Sequence, residues 1–360
     1  MTITRLLVNR AAFDKAKIVE RDVPALAEGE VLVKTGEFAL TANNITYAFA
    51  GDMIGYWKFF PEADAGWGVV PVWGFGEVVA SRCPELPVGG RFWGFLPMAS
   101  HVVMKPVKVR EHGFVDGAEH RQGLPVIYND YQRTHNDAPA LAAIPDERSL
   151  LFPLLITSYL IADYLEDNAL FGAEQVIISS ASSKTGFGTA HYTGTLANRP
   201  GQIIGLTSAA NVDFTLSLGL YDAVITYDQL GSLDNALPTA YVDMSGNSDV
   251  RAKLHHHFGD NMKASISVGA THWEAPRSNV ELPGAKPTMF FAPSQIVKRN
   301  ADWGPGVLLG KAQAANIAFA ATLSDLVRVT HFEGAQAVKA QYEAMVSGAT
   351  PPAQGVMLAF

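Results

Sequence analysis

Cysteine is nearly absent: Cys83 is the only one among 360 residues. An internal disulfide is therefore impossible, and a structural zinc site of four thiolates is excluded. Charge is also sparse, at 17% of residues, with 27 basic against 35 acidic side chains. The resulting net charge of −8 argues against nucleic acid as a partner, because phosphate-backbone binders concentrate Lys and Arg. No apolar run approaches the length of a membrane span, and the opening Met1-Thr-Ile-Thr-Arg-Leu-Leu lacks the apolar stretch of a signal peptide. No Gly-x-Ser-x-Gly elbow of a serine hydrolase stands at a strand end. These absences lead to the expectation of a cytoplasmic protein acting on a small molecule, with neither membrane nor nucleic acid.

What is present suits a cofactor-sized core. Hydrophobic residues make up 48% of a chain that exceeds the length at which a single core stops growing, so two domains are expected. The first hundred residues carry short apolar segments, among them Val31-Leu-Val-Lys, Val69-Val-Pro-Val, Gly76-Glu-Val-Val-Ala and His101-Val-Val-Met. Glu28-Gly29, Pro84, Pro87 and Gly89-Gly90 punctuate them, which predicts a small, strongly bent β domain or barrel. After about Pro145 the pattern changes. Ser149 to Leu170 is helical in spacing, and apolar runs then alternate with helical ones. The runs are Gln175-Val-Ile-Ile-Ser, Gln202-Ile-Ile-Gly-Leu-Thr, Asp222-Ala-Val-Ile-Thr, Thr239-Ala-Tyr-Val-Asp-Met and Lys263-Ala-Ser-Ile-Ser-Val-Gly. Apolar strands separated by helices predict an α/β fold with a parallel sheet covered on both faces. The tail, with a helical stretch over Lys311 to Leu326 and a last strand at Val356-Met-Leu-Ala-Phe, is expected to return to the first domain. Residues 108–139 fit neither pattern; they read as a long polar insertion, either functional or a surface excursion.

The segment with the most chemical content follows the 175–179 run: Ser180-Ala-Ser-Ser-Lys-Thr-Gly-Phe-Gly188. A dinucleotide-binding turn needs tight chain reversal, close backbone approach to a pyrophosphate and a helix N-terminus aimed at it. If the glycine fingerprint ends at Gly186, its first two glycines fall on Ala181 and Ser183. The residues Ser180, Ser182, Ser183, Lys184, Thr185 and Gly186 are the candidate pyrophosphate cradle. A polar strand-to-helix turn with a good cap and no ligand is the plain alternative. A Walker-type phosphate loop is a lesser one, since Lys184-Thr185 matches its end while both its glycines are missing. The next strand ends in Thr207-Ser208-Ala-Ala-Asn211, without the carboxylate that would accept from a ribose 2′-hydroxyl. Thr207, Ser208 and Asn211 can donate to a 2′-phosphate and Lys184 can supply positive charge, so NADP(H) is the expected cofactor.

At this point the chain resembles the medium-chain dehydrogenase/reductase superfamily, and within it the zinc-independent quinone and enone reductases. The resemblance is an ordered series over most of the chain. Its members are Leu26-Ala-Glu-Gly-Glu-Val-Leu-Val, Thr41 to Gly51, Pro71-Val-Trp-Gly-Phe-Gly-Glu-Val-Val and Val88-Gly-Gly-Arg-Phe-Trp-Gly, then Leu218-Gly-Leu-Tyr-Asp-Ala-Val-Ile, Val242-Asp-Met-Ser-Gly246 and Ser267-Val-Gly-Ala270. It implies a GroES-like β-rich catalytic domain over 1–148 and 300–360, and a Rossmann-type doubly wound domain over 149–299 with the active site between them. It also implies a homodimer through a Rossmann edge strand, for which Thr288-Met-Phe-Phe-Ala is the candidate; an ordinary buried strand is the other reading.

The resemblance implies site residues too. Asn44 and Tyr47 fall in the segment that contacts substrate or nicotinamide, where either would stabilise an enolate oxygen and Tyr47 could give a proton; helix capping is the other use of an Asn–Asn pair. Thr157 falls near the nicotinamide ribose. Gly246, Gly269, Ala270 and Thr271 would approach the cofactor, as would Phe290, Phe291 and Ala292. Tyr128, Asn129 and Tyr131 are candidate substrate contacts in the insertion. Metal is not expected: Asn43 and Asn44 stand where zinc-dependent relatives need Cys or His, and Trp73-Gly-Phe-Gly-Glu lacks their histidine. His255-His256-His257 reads as solvated helix surface. The implied activity is NADPH-dependent hydride transfer to a quinone, enone or enoyl acceptor. A non-catalytic NADPH sensor or scaffold, and an enoyl-thioester reductase or lyase on the same fold, are the alternatives.

Overall fold

A computed structural model describes residues 1–268 and 281–360, so the expected cofactor positions Gly269, Ala270 and Thr271 lie outside the described residues. The chain divides into two units, Met1–Leu150 with Val327–Phe360, and Leu151–Leu326.

The first unit is β-rich. A three-stranded sheet runs in the order Ala12–Asp22, Thr2–Asn9, Trp67–Gly68. A larger sheet runs Arg328–Glu333, Gln354–Ala359, Val31–Leu40, Pro71–Ser81, Arg91–Pro97, Asp130–Arg133, Gly113–Asp116, Pro106–Arg110, with His101–Met104 also paired to Val31–Leu40. The sheet bends where Val31–Leu40 meets Pro71–Ser81, across a register shift between Thr35 and Phe38. Gly74 permits this approach: a Cβ there would stand 2.5 Å from both the Glu37 carbonyl oxygen and the Phe38 Cβ.

Residues 108–139 are therefore not a structureless insertion. They supply three consecutive strands at one end of the sheet. Their polar composition has a physical source: buried ion pairs take the place of apolar packing. The Arg121 guanidinium lies 2.9 Å from Asp116, with both side chains 2% exposed, and stacks over Phe60 at 4.7 Å. Arg148, also buried, pairs with Asp137 at 2.6 Å, donates to Gln132 at 2.8 Å and covers the Trp93 ring at 5.0 Å.

The helix Pro145–Asp167 corrects another expectation. It is long and apolar enough to cross a membrane, yet 67% of its most apolar window is buried inside the protein. Its hydrophobicity serves packing, and its first turn carries Asp146, Glu147 and Arg148.

The second unit holds a six-stranded parallel sheet among the described residues. Its order is Ala223–Thr226, Gln202–Thr207, Gln175–Ile178, Thr239–Asp243, Met262–Ser267, Thr288–Met289. Val176 and Ile178 face one apolar cluster with Val242 and Ile266, while Ile177 faces another with Ile204, Leu206 and Tyr241. Burial on both faces explains why these strands read as continuous apolar runs. The return to the first unit comes at Val327, later than the expected residue 300. The helices Ala292–Trp303 and Val307–Ala320 stay with the second unit. Arg299 pairs with Asp163 at 2.8 Å, Tyr192 donates to Asn316 at 2.7 Å, and His191 stacks on Phe319 at 3.6 Å.

The three histidines near the end of the Ser248–Phe258 helix also differ from expectation. His255 is fully buried, its ring nitrogens 2.8 Å from the Pro283 carbonyl and 2.9 Å from the Ser265 hydroxyl. His257 bonds the Leu233 carbonyl, and only His256 is exposed. Adjacent helix positions point in different directions, and here one of them points into the core.

Removing one partner of a buried ion pair strands the other. Arg148→Ala should therefore lower the unfolding free energy by about 3–5 kcal/mol in urea titrations followed by tryptophan fluorescence. A loss below about 1 kcal/mol, the level of a surface pair, would refute this role.

Candidate functional site

The turn after Gln175–Ile178 is built by steric room. Gly186 lies so near the strand end that a Cβ would stand 2.6 Å from the Ser180 carbonyl oxygen. The helix Lys184–Gly194 begins there, capped by Ser183, whose hydroxyl oxygen accepts from the Gly186 amide at 3.1 Å. That hydroxyl keeps its own hydrogen to donate. Ser180 takes a left-handed conformation, φ +47°, and its amide donates to the Tyr227 hydroxyl at 2.9 Å. Ala181 occupies a fingerprint glycine position without clash because Gly205, on the next strand, gives way. A Cβ on Gly205 would stand 2.9 Å from that of Ala181.

The tip of Gln202–Thr207 carries hydroxyls and an amide. Thr207 donates to Ser182 at 3.4 Å and Asn211 donates to it at 3.2 Å, so Ser182, Thr207 and Asn211 form one polar cluster. Ser208 is exposed beside them, at the start of the turn Ala209–Asn211. Thr185 is half-buried at the first turn of the helix, whose leading amides have no partner within the helix. Desolvation of the half-buried Lys184 ammonium lowers its pKa from the usual 10.5 to about 8. The arrangement combines a helix N-terminus, hydroxyl donors and a lysine.

One residue that the motif reading missed organises the neighbouring strand tip. Asp243 is fully buried and ends Thr239–Asp243. One of its oxygens accepts from the Ser179 hydroxyl at 3.1 Å, the Ser245 hydroxyl at 2.9 Å and the Gly246 amide at 2.9 Å. The other meets the Arg251 guanidinium at 2.8 Å. Gly246 has φ +66°, so its expected role near a cofactor rests on a turn that this carboxylate holds. The eight-residue spacing from Asp243 to Arg251 was the available signal, once a turn and a helix are placed between them.

Thr157 is half-buried in its helix and bonds back to the Pro153 carbonyl. Of the strand candidate Thr288-Met-Phe-Phe-Ala, only Thr288–Met289 is strand, at the edge of the described sheet. Phe290 packs on the apolar cluster below the sheet, Phe291 is exposed, and Ala292 opens the next helix.

In the first unit the structure separates the predicted residues. Asn44 is buried and consumed by capping: its Oδ1 accepts from the Thr41 amide at 2.7 Å and its Nδ2 donates to the Pro71 carbonyl at 2.8 Å. It holds the start of Ala42–Phe49 and is withdrawn as a catalytic candidate. Asn129 and Tyr131 are corrected likewise. Asn129 accepts from buried Arg121 at 3.1 Å, and Tyr131 is fully buried with its hydroxyl on the Phe95 carbonyl and its ring stacked on Phe114. Both anchor the sheet extension.

Tyr47 and Tyr128, in contrast, come together. Their ring centroids are 6.2 Å apart, and Tyr56, unmarked in the sequence, lies 4.6 Å from Tyr47 and 5.4 Å from Tyr128. The Tyr47 hydroxyl accepts from the Trp73 indole at 3.1 Å. The Tyr56 and Tyr128 hydroxyls are 2.9 Å apart. Phe59, Phe95 and Trp73 ring them. Burial, with each phenol opposing charge on the next, raises all three well above the usual phenol range. The cluster is a set of neutral hydroxyls, able to donate hydrogen bonds or protons.

One further group has metal-like residue types. Glu37, Asp146 and His331 offer ligand atoms within 4.8 Å of one another. His331 already uses both ring nitrogens, at 2.8 Å from Glu37 and 3.0 Å from Asp146, which makes it a clamp between two carboxylates. Cys83 is buried beside Glu85, and burial raises its thiol pKa.

The profile of the family described as Protein of unknown function (DUF2855) matches residues 38–351. No curated protein matches the chain by sequence. Among solved structures, CurA from Vibrio vulnificus is similar, with 13% identity over 100% of this chain and 98% of that one at a TM-score of 0.62. A mutant enoyl thioester reductase from Candida tropicalis has 13% identity over 100% of both chains at 0.59. TarJ from S. aureus, solved with NADPH, has 12% identity over 100% of this chain and 99% of that one at 0.56. These likenesses carry the fold alone, a GroES-like β-rich domain and a Rossmann-type parallel sheet.

Gly186→Ala should force the helix away from the strand end. The expected cost is about 1–3 kcal/mol in stability, and cofactor titration should show loss of dinucleotide binding. Unchanged binding would remove the cradle assignment.

Proposed function

The chain belongs to the DUF2855 family, and on that footing we propose that it is an NADP(H)-dependent, zinc-independent oxidoreductase acting on a small carbonyl-conjugated acceptor. The observation that carries this reading is the turn at Gly186 followed by an acid-free strand tip. Ser183 and the amides of the first helical turn suit a pyrophosphate. Ser182, Thr207, Ser208 and Asn211 suit a 2′-phosphate, which a carboxylate at that position would repel. Lys184 adds charge to either phosphate. The bound nicotinamide supplies hydride. In the first unit, the neutral Tyr47 hydroxyl, held by the Trp73 indole, suits polarising an acceptor oxygen and giving it a proton.

Quinone or enone acceptors suit the aromatic walls of Phe59, Phe95 and Trp73. An enoyl thioester is the second reading, supported by the similar structure of an Etr1p complex with NADP and crotonyl-CoA, 14% identical over 100% of both chains. We further propose self-association through the Thr288–Met289 edge, where Met289 is 74% exposed.

Fluorescence titration should show NADPH binding more tightly than NADH; equal or tighter NADH binding sinks the NADP preference. Before cofactor binds, Lys184 is an ammonium below about pH 8 and neutral above it, so NADPH affinity should weaken as pH rises through that value. Lys184→Met should flatten the profile and weaken binding roughly 10- to 100-fold, the worth of one charge-assisted contact. A pH-independent wild type would remove Lys184 from the site.

A further inference from the structure

The proposed dinucleotide site is made from two strand ends. The turn from Ser180 to Gly186 follows Gln175–Ile178, and the cluster of Thr207 and Asn211 with Ser182 forms at the end of Gln202–Thr207. A ligand that engages both halves binds well only when their spacing is fixed beforehand, because ordering them on binding costs affinity. Asp243 steadies the turn from one side, through Ser179. On the other side, two tyrosines flank the strand Ala223–Thr226.

Tyr221 precedes that strand, and its hydroxyl donates to the Ala181 carbonyl at 2.8 Å. Its ring passes close to Gly205, where a Cβ would stand 3.0 Å from the Tyr221 Cδ1. Burial and the nearby Tyr227 phenol raise the Tyr221 pKa well above the usual phenol range, so it stays a neutral donor. Tyr227 follows the strand directly. Its amide donates to the Thr207 carbonyl at 3.2 Å, and its hydroxyl accepts from the Ser180 amide at 2.9 Å. One residue thus joins the tip of Gln202–Thr207 to the first residue of the turn. The bond falls on Ser180 at φ +47°, a conformation that a residue with a side chain keeps only where its surroundings impose it. The Ala181 amide adds a third tie, to the Leu206 carbonyl at 2.9 Å. All of these groups belong to the second unit.

We propose that Tyr221 and Tyr227 form a clamp that sets the spacing between the pyrophosphate cradle and the 2′-phosphate cluster. Both act through backbone groups of Ser180 and Ala181, so they are positioning residues. The clamp rests on the NADP(H) reading above, and it makes affinity depend on a ligand engaging both halves at once.

The test uses the full chain with Tyr227→Phe and Tyr221→Phe, which keep each ring and remove only the hydroxyl. Adenosine 2′,5′-bisphosphate engages both halves, whereas adenosine 2′-monophosphate engages the 2′-phosphate cluster alone. Each variant should bind the bisphosphate roughly 10-fold more weakly, the worth of one hydrogen bond, and the monophosphate within about twofold of wild type. General loosening of the fold would weaken both ligands equally, so an equal loss overturns the clamp, as does no loss in either. In the free protein, NMR should show the Ser180 amide proton moving upfield in Tyr227→Phe, and the Ala181 carbonyl carbon moving upfield in Tyr221→Phe. Unmoved resonances overturn the clamp, and leave the cofactor reading intact where the wild type binds NADPH. A wild type that binds neither NADPH nor the bisphosphate overturns the cofactor reading and the clamp with it.

Discussion

A carboxylate sealed from water sets the geometry of one end of the parallel sheet. Asp243 carries a full charge at the tip of its strand, and such a charge is tolerable only when every lone pair has a donor. Ser179, Ser245, the Gly246 amide and Arg251 provide them. Ser179 is the residue before the Ser180 turn, and its hydroxyl also accepts from the Met244 and Ser245 amides. One buried group thereby fixes two adjacent strand tips against each other. The left-handed Ser180, the Ser183 cap and the start of the Lys184–Gly194 helix follow from that fixed point.

The first unit solves a different problem. Its aromatic cluster gathers three hydroxyls without a free charge, and the cations nearby stack on the outer rings while paired to aspartates. Neutral donors in apolar surroundings stabilise developing negative charge strongly, because little water competes with them. The polar residues of 108–139 make this possible from a distance, by giving the turn around Tyr128 a rigid ionic anchor.

The degree to which the sequence announced these features follows from their range. The Gln175–Ile178 run was legible because both its faces are buried, so that its pattern needs no distant partner. The strand tip at Thr207 was legible for a similar reason, since the missing acid is a local fact. Arg121 and Asp116 were misread as loop composition, because a buried ion pair looks like surface until its partner is placed. Asn44 and Asn43 are chemically identical neighbours; the helix register alone turns one of them, Asn44, toward its cap. Tyr56 had no local pattern at all, and only the fold sets it beside Tyr128. The return to the first unit, at Val327, was placed too early because the helical stretch before it was read with the tail, and the contacts of those helices with Asp163 and Tyr192 cannot be seen in a linear reading.

The exchange between Ala181 and Gly205 has a consequence for how such turns drift. Close packing at a strand end demands a certain empty volume, and the demand falls on the pair of strands together. Here the gap that a fingerprint glycine would leave is opened from the neighbouring strand, where a Cβ on Gly205 would press on Tyr221 at 3.0 Å as well as on Ala181. Only Gly186, held against backbone that cannot yield, keeps its place in the motif. A turn of this kind can lose most of its recognisable letters while its shape stays the same. Its ancestry is then written in where space is left across the sheet.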